Sequence, residues 1–177
     1  MSGFQQALVH VFGAEGGLSD HRADRGGRTQ MGITAETWAR WRDRLGKPQT
    51  PVDSCTREDA EQIYLLGYWS PAKCDGLPWP VSLCHFDAAV QHGPRNAGIL
   101  LQRALGVTED GVVGPATLKA AAAAHPGRLI PAMVRGRLAF YRKLAIADPS
   151  QRAFLAGWIG RVLNLWIRCK RDVPDAA

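Results

Sequence analysis

Apolar residues recur along most of the chain at helical spacing rather than in strict alternation, and this pattern predicts a mainly α protein. The first apolar segment covers residues 4–12, whose apolar side chains lie about one helical turn apart. Clusters of glycine, proline and serine separate the later segments and mark their ends. Those later segments span residues 35–43, 56–69, 80–93, 94–105, 118–125, 129–147 and 151–169.

Threonines stand in front of two of these segments, where a side-chain oxygen favours the start of a helix. Thr34 directly precedes residues 35–43 and is expected to cap that helix. Thr56 is followed three residues later by Asp59, which resembles a capping box with Asp in the Glu position. Gly67 is expected to weaken the last turn of the helix that Thr56 opens.

A glycine-rich stretch follows the first helix and reads EGGLSDHRADRGGRTQMGIT, residues 15–34. Glu15 falls where the helix is expected to end, because two glycines come directly after it. The short pieces between the glycines predict a small β-hairpin, since glycine permits tight reversals of the chain. Such a hairpin would fold Asp24 and Thr29 back toward Glu15.

A carboxylate at the C-terminal end of a helix faces the negative end of the helix dipole. This position disfavours the ionised form and raises the pKa of the side chain when the site is also buried. A raised pKa is what a general acid needs, so Glu15 is a candidate for acid catalysis. A solvated helix end is the alternative interpretation, because glycine-rich segments mostly mark turns.

The spacing of the polar residues in this stretch adds a more specific indication. Glu15, eight residues, Asp24, four residues and Thr29 resemble the Glu/Asp/Thr constellation of phage-type lysozymes, with the second gap one residue shorter. The full pattern, with EGG, AD-RGG-x-T and GIT in order, is similar to the signature of glycoside hydrolase family 108. That family contains N-acetylmuramidases of phage endolysins and bacterial wall hydrolases.

Two further stretches carry the same resemblance. The first, IYLLGYWSPAKCDGLP, is similar to the aromatic stretch that closes the family's first lobe. The second, FDAAVQHGPRNAGILLQRALGVTEDGVVGPATL, resembles the C-terminal half of the family, a peptidoglycan-binding segment. The resemblance implies a mainly α, lysozyme-like fold of two lobes, with the hairpin beside the active-site cleft. It also implies one domain, residues 1–177, with a catalytic lobe at 1–79 and a helical lobe at 80–177.

The activity implied by the resemblance is hydrolysis of the β-1,4 bond between N-acetylmuramic acid and N-acetylglucosamine. Glu15 would be the general acid, while Asp24 and Thr29 would hold the attacking water. This arrangement implies inversion if the two carboxyls lie roughly 6.5 to 9.5 Å apart. Asp20 is the rival for the second carboxylate, although it stands at a less fixed position of the family pattern.

Substrate binding is expected to involve aromatic side chains, because their faces stack on the apolar faces of pyranose rings. Tyr64, Tyr68 and Trp69 are the candidates, and core packing is an equally good account of each ring. Gln91 is a polar candidate at a position where the family commonly has Asn.

The chain carries a formal net charge of +6, which suits an anionic polymer such as nucleic acid, a membrane surface or a cell wall. Basic residues cluster within residues 22–28, 40–44 and 168–171. No helix-turn-helix, zinc-finger or RNA-binding aromatic signature accompanies these clusters, so nucleic acid is the weaker prediction. Peptidoglycan is the expected partner. The protein is expected to act as a monomer.

The four cysteines form no Cys-x-x-Cys pair and have no histidine at metal-ligand spacing, so no metal and no cofactor is expected. Cys84 and Cys169 lie in apolar helical patterns and are predicted to be core residues. No signal peptide and no apolar run of roughly 18 residues is present, which argues against membrane insertion. The expected location is the cytoplasm of a host bacterium, with release to the wall by a separate factor.

Two other function classes remain open on the sequence. A lytic transglycosylase would use Glu15 in a similar way without a water molecule and would give 1,6-anhydro products. A non-catalytic wall-binding or regulatory protein would keep the fold and would be unaffected by the loss of Glu15.

Overall fold

The structure, a computed structural model, describes residues 2–15 and 29–173, except for the side chains of Ala14 and Glu15. Helices dominate these residues, and a two-stranded antiparallel sheet is the sole sheet in the described part. The prediction of a mainly α protein with a small β-hairpin is therefore confirmed. The elements are α1 (Gly3–Glu15), β1 (Thr29–Gln30), β2 (Ile33–Thr34), α2 (Ala35–Arg44), α3 (Arg57–Tyr64), α4 (Val81–His92), α5 (Pro94–Leu105), α6 (Pro115–Ala123), α7 (Pro126–Ala147) and α8 (Leu155–Arg171).

The chain forms two compact units. One consists of Leu8–Gly67, and the other combines Met1–Ala7 with Tyr68–Ala177. The second of these units thus includes the first residues of the chain. The reason lies in the first turn of α1, whose Phe4 ring packs edge-on against Trp69 at 5.5 Å between centroids. Among the described helices, none is long and apolar enough to cross a bilayer.

The unit of residues 8–67 contains the two predicted helix caps, at the starts of α2 and α3. Thr34 Oγ1 accepts a hydrogen bond from the backbone N–H of Thr37 at 3.1 Å and starts α2. Thr56 and Asp59 form the predicted capping box at the start of α3. Trp38 on α2 is buried, and its indole N–H donates to Thr50 Oγ1 at 3.2 Å. The hydrogen bonds of Thr34 and of the Thr56–Asp59 pair confirm both predicted caps.

The core of the other unit is centred on α4, which contacts α5, α7 and α8. Nearly the whole of α4 is buried, so its side chains face neighbours on every side. Cys84 on α4 and Cys169 on α8 have no exposed surface, which confirms the core position predicted for both. Gly98 on α5 is required by packing, because a Cβ atom there would lie 2.6 Å from the carbonyl oxygen of Gly111.

A buried ion cluster joins three helices of this unit. Asp87 of α4 accepts hydrogen bonds from Arg137 of α7 at 2.7 Å and from Arg161 of α8 at 2.9 Å. Arg137 also donates to the hydroxyl of Tyr141 at 3.1 Å. Burial alone would raise the pKa of Asp87, but the two guanidinium groups outweigh it and hold the pKa at about 2. The carboxylate is therefore ionised in the core.

Candidate active site

Helix α1 ends at Glu15, where the sequence placed the end of the helix. Leu8 and Val11 anchor the last two turns of α1, since both are buried apolar side chains. The carbonyl groups in the last turn of an α-helix have no partner within the helix and give its C-terminal end a partial negative charge. The backbone of Glu15 thus lies at the position that raises the pKa of a carboxyl group when its side chain is shielded from water.

The predicted hairpin is present and is very short. Thr29 pairs with Thr34 and Gln30 pairs with Ile33 in antiparallel register. Met31 and Gly32 connect the strands, and both have positive φ angles, of 51° and 74°. Positive φ at both central residues is the mark of the type I′ turn, whose twist matches that of the two strands.

Tyr64 at the end of α3 contacts both the hairpin and α1. Its hydroxyl donates a hydrogen bond to the carbonyl oxygen of Met31 at 3.0 Å. Its ring packs edge-on against Phe12 of α1, with 5.7 Å between ring centroids and an angle of 83° between the planes. The guanidinium group of Arg57 lies over the ring of Phe12, 4.9 Å from its centroid. These contacts hold three elements of one compact unit together.

The sequence did not indicate this role for Tyr64. The bond to Met31 joins residues 33 positions apart, and no helical or strand periodicity relates such a pair. The one local signal was the Met31-Gly32 dipeptide, because glycine favours a turn between two short strands.

Of the three predicted catalytic residues, the structure describes Thr29 fully, Glu15 by its backbone alone, and Asp24 not at all. Thr29 lies in β1 and is half-buried. Asp24 and its rival Asp20 fall outside the described residues, as does the side chain of Glu15. The roles of Glu15, Asp24 and Thr29, and the separation of the two carboxyls, stay predictions.

The aromatic candidates for sugar stacking divide into buried and half-buried rings. Tyr64 and Trp69 are each 1% exposed, so neither ring has a free face for a sugar in this conformation. Trp69 instead donates from its indole N–H to Asp75 at 2.8 Å and packs edge-on against Phe86. Core packing, the alternative interpretation of these rings, is the role that the structure gives them. We therefore retain only Tyr68, which is half-buried, as a candidate for stacking.

Gln91 and Tyr68 belong to the second compact unit, whereas Glu15 and Thr29 belong to the unit of residues 8–67. Gln91 is half-buried near the end of α4. No group of three or more His, Cys, Asp or Glu side chains suited to a metal ion occurs among the described residues.

Known families account for most of the chain. Residues 8–93, which include the whole of the 15–34 stretch, match the family described as Glycosyl hydrolase 108. Residues 96–163 match the family described as Predicted Peptidoglycan domain. A solved structure of SagA from Brucella abortus is 34% identical, with a TM-score of 0.83, and the match covers 98% of this chain and 97% of that one. The chain belongs to glycoside hydrolase family 108.

No curated protein sequence matches this family 108 protein. The similarity to SagA extends over both compact units, and with the helical content it confirms the predicted mainly α, lysozyme-like fold. The two family matches together make the protein a glycoside hydrolase that acts on peptidoglycan. They occur in the order that the sequence predicted, with the hydrolase segment before the peptidoglycan-binding segment.

Proposed function

We propose that this family 108 hydrolase is an N-acetylmuramidase that cleaves the β-1,4 bond between N-acetylmuramic acid and N-acetylglucosamine. The observation that carries the proposal is the position of Glu15 and Thr29, the first and last of the three proposed catalytic residues. Glu15 ends α1 and Thr29 begins the hairpin, and both belong to one compact unit. The family match of residues 8–93 also contains the complete motif.

Cleavage of a glycosidic bond needs a proton for the leaving oxygen and a nucleophile on the opposite face of the sugar. Glu15 supplies the proton in this proposal, because the negative end of α1 favours its protonated form. Asp24 removes a proton from the attacking water, and Thr29 holds that water by a hydrogen bond. The anomeric carbon is then inverted, so the first product is the α anomer.

The second part of the proposal concerns the biological setting. The protein acts as a phage endolysin, made in the cytoplasm of the host bacterium and released to the wall by a separate factor. The motif resemblance to phage-type lysozymes supports this setting.

The decisive experiment is digestion of purified peptidoglycan followed by mass analysis of the released ends. Reducing N-acetylmuramic acid ends are expected. Reducing N-acetylglucosamine ends would indicate a different bond, and 1,6-anhydro ends would indicate a transglycosylase. Fresh product examined by NMR should contain the α anomer first, because a direct attack by water inverts the anomeric carbon.

Substitution of the proposed acid gives the matching test. Glu15→Gln keeps the size of the side chain but cannot supply a proton, so the rate should fall about a hundredfold or more. Glu36→Gln is the control, since Glu36 is exposed on α2 of the same unit and pairs with Arg40. A folded Glu15→Gln protein as active as Glu36→Gln would exclude Glu15 as the acid.

A further inference from the structure

Tyr64 lies between the two described elements that carry the proposed catalytic residues. Phe12, which its ring contacts, is one helical turn before Glu15 on α1. Met31, whose carbonyl its hydroxyl binds, is two residues after Thr29 in the hairpin. One buried side chain therefore contacts both the helix of Glu15 and the hairpin of Thr29.

The bond from Tyr64 ends on a strained part of the backbone. Met31 has a φ angle of 51°, in the left-handed region where a Cβ atom crowds the following carbonyl. A residue other than glycine loses roughly 1 to 2 kcal/mol in this conformation. Such residues persist where surrounding contacts determine them, and they concentrate at functional sites.

We propose that Tyr64 is a positioning residue that fixes the hairpin of Thr29 against the helix of Glu15. The inference rests on the roles given to Glu15 and Thr29 in the proposed function. Tyr64 itself is 1% exposed, so it acts through Met31 and Phe12 and not by touching the substrate. Its effect on the reaction is geometric, because a displacement of about 1 Å at a reacting centre costs roughly a hundredfold in rate.

Tyr64→Phe tests the hydroxyl and leaves the ring packing against Phe12 in place. Without the donor, the Met31 carbonyl is released and the hairpin samples more than one position. We expect kcat on soluble peptidoglycan fragments to fall about tenfold or more, with KM changed by less than about twofold. Rates are measured well below the melting temperature of each variant, so that unfolding does not contribute.

Tyr141→Phe is the matched control. Tyr141 is also 1% exposed, and its hydroxyl accepts a hydrogen bond from Arg137 in the other compact unit. This variant should lose stability as Tyr64→Phe does, while kcat stays at the wild-type value. Equal kcat in the two variants, whether both fall or both are unchanged, would overturn the positioning role of Tyr64.

A second variant tests the strained turn directly. Met31→Gly keeps the carbonyl that accepts the bond and removes the Cβ atom, so kcat should fall less than it does in Tyr64→Phe. Combined with Tyr64→Phe, the glycine should lower kcat below that of Tyr64→Phe alone, because the turn then has neither the tyrosine hydrogen bond nor the restricted backbone of a residue with a Cβ atom. A double variant no slower than Tyr64→Phe would contradict this explanation.

The failure of this inference differs from the failure of the proposed function. If Glu15→Gln is inactive but Tyr64→Phe matches Tyr141→Phe, only the positioning role is lost. If Glu15→Gln remains active, Glu15 is not the general acid, and the proposed function fails together with the inference that rests on it.

Discussion

Asp24 and Asp20 compete for the role of the carboxylate that holds the attacking water. If Asp24 has this role, Asp24→Asn should abolish most turnover while substrate binding persists, because the lost interaction acts mainly in the transition state. Thr29→Ala should cost less, since one hydroxyl hydrogen bond contributes about 0.5 to 1.5 kcal/mol. Steady-state kinetics and a binding isotherm on soluble fragments measure both effects.

Asp20→Asn is the control in this series, and it should change turnover little, because the glycine-rich sequence around Asp20 predicts a turn whose side chains cap nearby backbone amides. The reverse order, an inactive Asp20→Asn beside a normal Asp24→Asn, would assign the second carboxylate to Asp20. Equal losses in both variants would mean that neither aspartate alone holds the water.

At the residue scale, the sequence indicates which residue types could act on a sugar, but it does not indicate whether their side chains are buried or exposed. Its pattern marked Tyr64, Tyr68 and Trp69 as aromatic positions of interest, but spacing alone does not separate a core ring from a binding ring. The difference is made by hydrogen-bond partners outside the helical repeat, which are Met31, 33 residues from Tyr64, and Asp75, six residues from Trp69. Only the fold brings those partners within hydrogen-bond distance.

At the scale of elements, local signals predicted most helix ends. Caps and prolines act within one turn, so α2 starts after Thr34 and α5 starts at Pro94 as expected. The predicted helix of residues 56–69 differs, because regular α-helix ends at Tyr64 and a π-helical turn covers Leu65–Trp69. Gly67 lies inside that turn, which agrees with its expected weakening of the helix.

The segment around His125 shows the limit of local signals. The pattern of residues 118–125 predicts that the alanine-rich helix ends at His125, and α6 ends just before it, at Ala123. His125 also starts α7, because its Nδ1 atom accepts a hydrogen bond from the backbone N–H of Gly127 at 3.1 Å. Histidine is outside the usual set of capping residues, so its side chain gave no signal.

The ion cluster between α4, α7 and α8 supports a prediction on stability. Asp87→Asn leaves two arginines without their buried counter-charge, and removal of one partner of a buried pair costs about 3 to 5 kcal/mol. Urea unfolding at neutral pH measures the loss. Glu109→Gln is the control, because its pair with Arg103 is solvent-exposed and should change the unfolding free energy little.

The same variant has a defined pH dependence. The pKa of Asp87 is about 2 in the folded protein, below the ordinary aspartate value of 3.8, so the unfolded chain binds the proton first as pH falls. The stability from Asp87 is fully present above about pH 4 and is lost as pH falls through about 2. As pH falls from about 4 to about 2, the unfolding free energy of Asp87→Asn should therefore decrease less than that of the wild type. Equal losses in the two proteins would contradict the ionised buried carboxylate.

At the scale of the whole molecule, the sequence predicted the fold and the order of its parts through one extended resemblance. The division into compact units was less predictable, because it depends on where the first turn of α1 packs. Phe4 contacts Trp69 and Phe86, which lie far from it in sequence, and joins the beginning of the chain to the unit that starts again at Tyr68. No linker composition marks such a division, since it arises from tertiary packing.

Net charge gives the last prediction. A protein with a formal charge of +6 should be attracted to the carboxylates of a cell wall, and exposed charges are screened beyond about 8 Å at physiological ionic strength. Sedimentation of the protein with wall sacculi should therefore weaken as salt rises from low to several times the physiological concentration. Glu15→Gln is the form to use, because an active enzyme would digest the sacculi during the measurement. A pelleted fraction that is independent of salt would show that sugar contacts, with Tyr68 as the described candidate, dominate over charge in wall binding.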